Sequence, residues 1–173
     1  MNATIEQQVA LLNSDKFVKY TNTDYFTELS EETKGFLKTY GLPCNDFGTY
    51  PNFMSDGKLK KFSPDLIEIG LSNTKDKYCI DISNNERVVF YDIDNQEIDI
   101  VNSSVQKFLE CRYVMAYYYQ EIEFKKRYGE YYEYLNYKKY AKILRDMLND
   151  VEPGIENFPT WEEELFQKEL GVI

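Results

Sequence analysis

KYCIDISNNERVVFYDIDNQEIDIV, residues Lys77 to Val101, decides the fold. Lys77 to Ile82 alternates, with Tyr78, Ile80 and Ile82 on one face. A period of two marks a strand with one covered side. Asn84-Asn85 follows, and asparagine tolerates the positive φ that a type I′ hairpin turn requires. Arg87 to Ile93 is apolar on both faces, Val88 and Phe90 against Val89, Tyr91 and Ile93. That marks a central strand covered on both sides. Asp94-Asn95 makes a second turn. Glu97 to Val101 then alternates again, with Ile98 and Ile100 expected inward and Glu97 and Asp99 outward. Strands joined by turns this short pair antiparallel, so the stretch is a β-meander.

Working outward, Leu66 to Leu71 adds an isoleucine-rich strand before the meander. Leu42 to Ser63 is loop-rich. Phe47, Tyr50, Phe53 and Met54 are expected to fold inward there as a short strand or irregular lid, and Leu59 to Phe62 as a further strand. The sheet therefore has about five to six strands. Ala3 to Leu12 reads as a short amphipathic helix capped by Thr4, with Ile5, Val9 and Leu12 at helical spacing. Ser30 is the N-cap of a second helix. Glu31 and Glu32 suit its positive end, and Phe36, Leu37 and Tyr40 form its apolar stripe. Gly41 stops it in a left-handed conformation, and Pro43 prevents continuation.

On the C-terminal side, Ser103 or Ser104 caps a long helix with Val105, Phe108, Leu109 and Ala116 on one face. Its second half, Tyr117 to Tyr119, is aromatic all round, and Gly129 ends or breaks it. Tyr137 to Val151 forms another helix, with Tyr140, Leu144, Met147 and Val151 aligned, and Pro153-Gly154 terminates it. Thr160 caps a last helix carrying Trp161, Leu165 and Phe166. Two helices, a meander, and a helical portion from about residue 103 make an α+β domain over residues 1–173.

The chain has 173 residues, enough for one buried core. Its net charge of −10 repels phosphate backbones, so no direct nucleic-acid binding is expected. The same charge favours basic partners, although solubility alone also explains it. There is no histidine, which removes Ser-His and Cys-His catalysis and imidazole metal sites. The three cysteines, Cys44, Cys79 and Cys111, are widely spaced without a CxxC pair. They indicate neither a disulfide framework nor a zinc ribbon. Cys79 and Cys111 lie in apolar patterns and read as buried thiols. No phosphate-binding glycine motif occurs, and no cofactor is expected. No signal peptide and no 18-residue apolar run is present, so a cytoplasmic location without a membrane span is expected.

Two constellations are candidate partner-binding surfaces. Asp92, Asp94, Glu97 and Asp99 cluster around one hairpin. Paired carboxylates can do acid–base work or hold a cation, but alternation places Glu97 and Asp99 on a solvated face. The second is tyrosine-rich, Tyr117 to Tyr140, and includes Tyr118 and Tyr132. Within it, Lys125, Lys126 and Arg127 precede a tyrosine-dense stretch, Tyr128 to Tyr140, and Lys138, Lys139, Lys142 and Arg145 accompany its end. Interleaved cations and aromatics can stack bases, yet Glu121, Glu123, Glu130 and Glu133 interrupt them. Lysine on the solvent side and tyrosine at the core boundary is the simpler account. Tyrosine and arginine are also enriched in protein interfaces.

Phe36-Leu37-Lys38-Thr39-Tyr40-Gly41-Leu42-Pro43 resembles the helix-then-GLP signature of the SUKH superfamily. The meander and Asn102-Ser103-Ser104-Val105-Gln106-Lys107-Phe108-Leu109 match its next block. The tail, with Asp150-Val151-Glu152-Pro153 and Trp161-Glu162-Glu163-Glu164-Leu165, is similar to the end of its fourth immunity-protein subgroup. The resemblance implies a SUKH-like domain that is not an enzyme. Such a bacterial immunity protein neutralises a cognate toxin, often a nuclease or nucleic-acid deaminase, by direct binding. It implies structural roles for Gly41, Pro43, Phe108 and Trp161 and supplies no catalytic residues. The tyrosine-rich insert departs from the pattern. A general protein-binding scaffold of the same fold and a carboxylate-dependent hydrolase stand as alternatives.

Overall fold

The computed structural model describes residues 17–43, 52–53, 56–72, 74–123 and 136–171. Strand β1 (Phe17–Val18) pairs with β2 (Leu42–Pro43) across helix α1 (Glu31–Thr39). Short strands β3 (Asn52–Phe53) and β4 (Lys60–Lys61) follow. Then come β5 (Leu66–Leu71), β6 (Lys77–Asp81), β7 (Arg87–Asp92) and β8 (Glu97–Asn102). Helix α2 (Val105–Tyr117) runs into a π-helical segment, Tyr118–Glu123. Helices α3 (Asn136–Val151) and α4 (Pro159–Glu169) close the fold. The main sheet has the order β3-β5-β6-β7-β8, with β4 also on β5, and every pairing is antiparallel. The α+β class and the meander are as the sequence predicts. The expected helix at Ala3–Leu12, the break at Gly129, and the positions of Cys44, Phe47, Tyr50, Met54 and Tyr132 lie outside the described residues.

Local chemistry explains the element ends. Ser30 caps α1, its Oγ accepting from Thr33 N at 3.2 Å. Phe36 and Leu37 are buried beneath. Gly41 has φ of 73°, and a Cβ there would lie 2.1 Å from the Val18 carbonyl oxygen, so only glycine fits. The first hairpin turn sits one residue later than Asn84-Asn85. Positive φ falls on Asn85 and Glu86, and Arg87 N donates to Asn84 O at 3.3 Å. Glu86 accepts that conformation because its carboxylate reaches the start of α1. There it accepts from Ser30 N and from the hydroxyls of Ser30 and Thr33. A negative group at a helix N-terminus offsets the backbone cost.

The phase of β8 corrects the sequence reading. Ile98 and Ile100 pair with Tyr91 and Val89, on the face away from the helices, and Ile98 is 47% exposed. Asp99 pairs with Phe90 and points to the helix side. A register shift between Val88 and Val89 absorbs the extra residue, and Val101 then turns into the main core. A bulge reverses which side chains face inward.

Helix α2 joins two cores. Val105, Phe108 and Leu109 pack with the sheet and α1. Cys111, Tyr113, Val114, Met115 and Tyr118 pack with Leu144 and Leu148 of α3 and Trp161 and Leu165 of α4. Ser104, not Ser103, caps α2, accepting from Lys107 N at 3.2 Å. Helix α4 has no side-chain cap at Thr160; it starts at Pro159 with Phe158 as N-cap. Phe166 is not part of its inner stripe and is 58% exposed. It follows Trp161 by five residues, well off the i, i+4, i+7 line of Trp161, Leu165 and Lys168. Burial pushes the thiols of Cys79 and Cys111 up to about 12, so both are inert.

A buried polar knot fixes α4 on the sheet. Trp161 Nε1 donates to Val101 O at 2.9 Å and to Asn102 Oδ1 at 3.3 Å. Glu152 Oε2 accepts from Asn102 Nδ2 at 3.2 Å and from Ser103 N and Oγ, both at 3.1 Å. Glu152 is buried, at the end of α3 and facing the positive start of α2. Removing it strands the buried Asn102 amide donor, at about 1–3 kcal/mol when unsatisfied, whereas the donors of the exposed Ser103 can turn to water. Glu152→Ala is therefore expected to lower the unfolding free energy by about 1–3 kcal/mol in urea titrations. Glu156→Ala, at an exposed position nearby, is expected to stay within about 0.5 kcal/mol of the parent.

Candidate functional site

The face built by α4 and β8 carries the most distinctive surface chemistry among the described residues. The helix stripe Trp161, Leu165, Lys168 turns inward. Glu162, Glu163, Phe166 and Glu169 are left on the outer or flanking surface. Between α4 and the sheet lies an open cleft lined by Tyr78, Phe90, Asp99, Thr160, Glu163 and Glu164. A second depression continues from it along the outer side of α4. It shares Pro159 and Glu163 with the first and adds Glu156, Glu162, Phe166 and Glu169. The two make one acidic surface with an exposed phenylalanine in it. Arg145 also lines the second depression, but its guanidinium is held by Glu169 at 2.6 Å.

The cleft has one group of unusual acidity. Desolvation pushes the Glu164 carboxyl above the usual carboxylate range, against the pull of Arg112 and Lys168. Glu164 keeps some solvent contact at the cleft mouth, so dense packing round the carboxyl, not full enclosure, causes the shift. Burial likewise raises Tyr78, with Arg112 acting to lower it and Glu164 and Asp76 to raise it. Arg112 of α2 thus lies within electrostatic reach of both cleft groups. Tyr78 and Phe90 meet edge to face, centroids 5.3 Å apart.

The structure separates the residues expected at a site. Asp92 is spent on its own turn, accepting from Asn95 N and Nδ2, both at 2.9 Å. Asp94 and Glu97 are exposed beside it. Asp99 alone of the four reaches the cleft. Tyr118 is fully buried in the helical core, with Lys168 Nζ 5.4 Å from its ring centroid, so it is a packing residue in this fold. Tyr132 and the basic run Lys125 to Arg127 lie outside the described residues. On α3, Lys138, Lys139 and Lys142 are exposed while Tyr137 and Tyr140 are half-buried. That matches lysine in solvent and tyrosine at the core boundary. Among the described residues, no group of three or more acidic or thiol side chains is placed to hold a metal ion, and no helix is long and apolar enough to cross a membrane.

Sequence reasoning missed Glu164. The signal was present: Trp161, Glu164, Leu165 and Lys168 follow the i, i+3, i+4, i+7 rule, so a carboxyl stands on the inner stripe. Comparison of the chain with protein-family models, curated proteins and solved structures returned no match.

The raised acid predicts a pH signature. A carboxyl whose folded pKa exceeds its unfolded one binds its proton more tightly when folded. Its contribution to stability is full below the unfolded value and is lost as pH rises through the folded one. Glu164→Gln mimics the protonated form. It is expected to match the parent in stability at about pH 3.5, and to exceed it near neutrality. Urea midpoints at the two pH values check this.

Proposed function

We propose that this protein is a non-enzymatic bacterial immunity protein that binds and neutralises a cognate toxin domain. The observation that carries the reading is the continuous acidic surface from Asp99 through Glu163 to Glu162, Glu156 and Glu169, with Phe166 exposed within it. Large exposed aromatics act as anchors in protein interfaces, and a surrounding field of one sign steers the opposite charge. Toxins that act on nucleic acids need basic clefts to hold phosphates. An acidic surface of this kind is complementary to such a cleft and competes with its substrate. The SUKH-like sequence blocks support the same reading, with a cytoplasmic site of action. No catalytic residue is assigned.

The carboxylate-hydrolase alternative draws on one feature, a raised carboxyl in the same cleft as a second acid. A general scaffold role differs from toxin neutralisation only in the partner.

Co-expression with a nucleic-acid-cleaving toxin domain, taken from the neighbouring gene where that gene encodes one, is the test. Phe166→Ala is expected to weaken the complex by about tenfold or more, the scale of an interface anchor. Glu162→Lys with Glu163→Lys is expected to slow association, most at low salt, and to abolish protection of the cell. Variants that bind and protect as the parent does would exclude this face as the toxin site.

A further inference from the structure

We propose that the free edge of β8, at residues 97–100, takes an added strand from the partner, an extended segment in which basic and apolar residues alternate. The inference rests on the immunity reading and names the element by which the partner binds.

Strand β8 ends the main sheet and, among the described residues, pairs with β7 alone. An antiparallel strand turns its backbone N–H and C=O groups to opposite sides at alternate residues. Half of those in β8 therefore face away from β7. Helix α4 closes only the far end of this edge, where Trp161 Nε1 donates to Val101 O at 2.9 Å. The start is open: Glu97, Ile98 and Asp99 are exposed, as is the turn before them. An exposed sheet edge is a template for an extended peptide. Backbone hydrogen bonds then give affinity, and alternate side chains give specificity.

The side chains specify the occupant. Ile98 and Ile100 stand on the face away from the helices, beside Tyr91 and Val89. Tyr91 meets the exposed Phe62 edge to face, centroids 5.0 Å apart. Glu97 and Asp99 alternate with them onto the other face, where Asp99 shares its cleft with Glu163. No lysine or arginine occurs between Arg87 and Lys107. An added strand sets one set of its side chains beside the isoleucines and the alternate set beside the carboxylates. Apolar residues fit the first row, and lysine or arginine fits the second. A second copy of β8 does not fit. Antiparallel pairing would set Glu97 against Asp99, or Asp99 against itself, and like charges directly opposite are unfavourable. The edge acids thus deter self-pairing and admit a basic strand.

The test is a nuclear magnetic resonance titration of the whole labelled chain with a short blocked peptide of alternating lysine and valine. Saturable shifts centred on residues 97–100, with slowed exchange of the outward β8 amides, are expected. A peptide of the same composition with its lysines in one block should bind about tenfold more weakly. Methylating one alternate set of peptide amides should abolish binding, and methylating the other set should leave it, because only one set faces β8. Glu97→Lys with Asp99→Lys, both at exposed positions, should lose the lysine peptide and bind a glutamate–valine one instead. Absence of binding at millimolar peptide, equal binding of the alternating and block peptides, or indifference to both methylations would overturn the proposal. If Phe166 and Glu162 govern toxin binding while no peptide adds to β8, only this inference fails. If the peptide adds here but the toxin ignores the face, only the immunity reading fails.

Discussion

One carboxylate oxygen of Glu152 gathers the end of β8, the start of α2 and, through Asn102, the indole of Trp161. These segments are up to 60 residues apart in sequence. Asn102 would otherwise bury an unsatisfied amide, because the end of β8 is covered by Trp161 of α4. The helical half of the molecule holds its place on the sheet through this knot and the Trp161 side chain, which is 1% exposed. Hydrophobic burial supplies most of the free energy, but it is not directional. The hydrogen bonds set the angle at which α4 lies across the sheet edge.

That angle makes the acidic face. With Trp161, Leu165 and Lys168 committed inward, Glu162, Glu163 and Phe166 are left on the outside, alongside Asp99. Glu164 is caught at the border. It stands on the inner stripe but opens into the cleft, so it carries the desolvation of one side and the access of the other. The destabilised carboxyl and the exposed aromatic are then two parts of one surface.

The meander was legible because its period is short and its turns carry Asn and Asp. Strands β5 to β8 lie where the alternation places them. Details that depend on tertiary contacts were not legible. The first turn moves by one residue because Glu86 is drawn to the start of α1. The inward phase of β8 is inverted by a bulge that no local pattern announces. Glu152 sits before Pro153 and reads as an ordinary helix end, yet it is buried by segments remote in sequence. Of the acidic hairpin, only Asp99 faces the cleft, since alternation assigns faces but not which face a later helix covers. Tyr118 shows the same limit: its ring lies inside because α3 and α4 close over it.

The most direct test of the account is hydrogen–deuterium exchange of this protein alone and with the toxin domain that the proposed function requires. The account predicts added protection along Pro159–Glu169 and at Glu97–Asn102, with the opposite sheet face around Tyr91 and Lys77 unchanged. Protection confined to that opposite face, or none at concentrations where the toxin is neutralised, would contradict it.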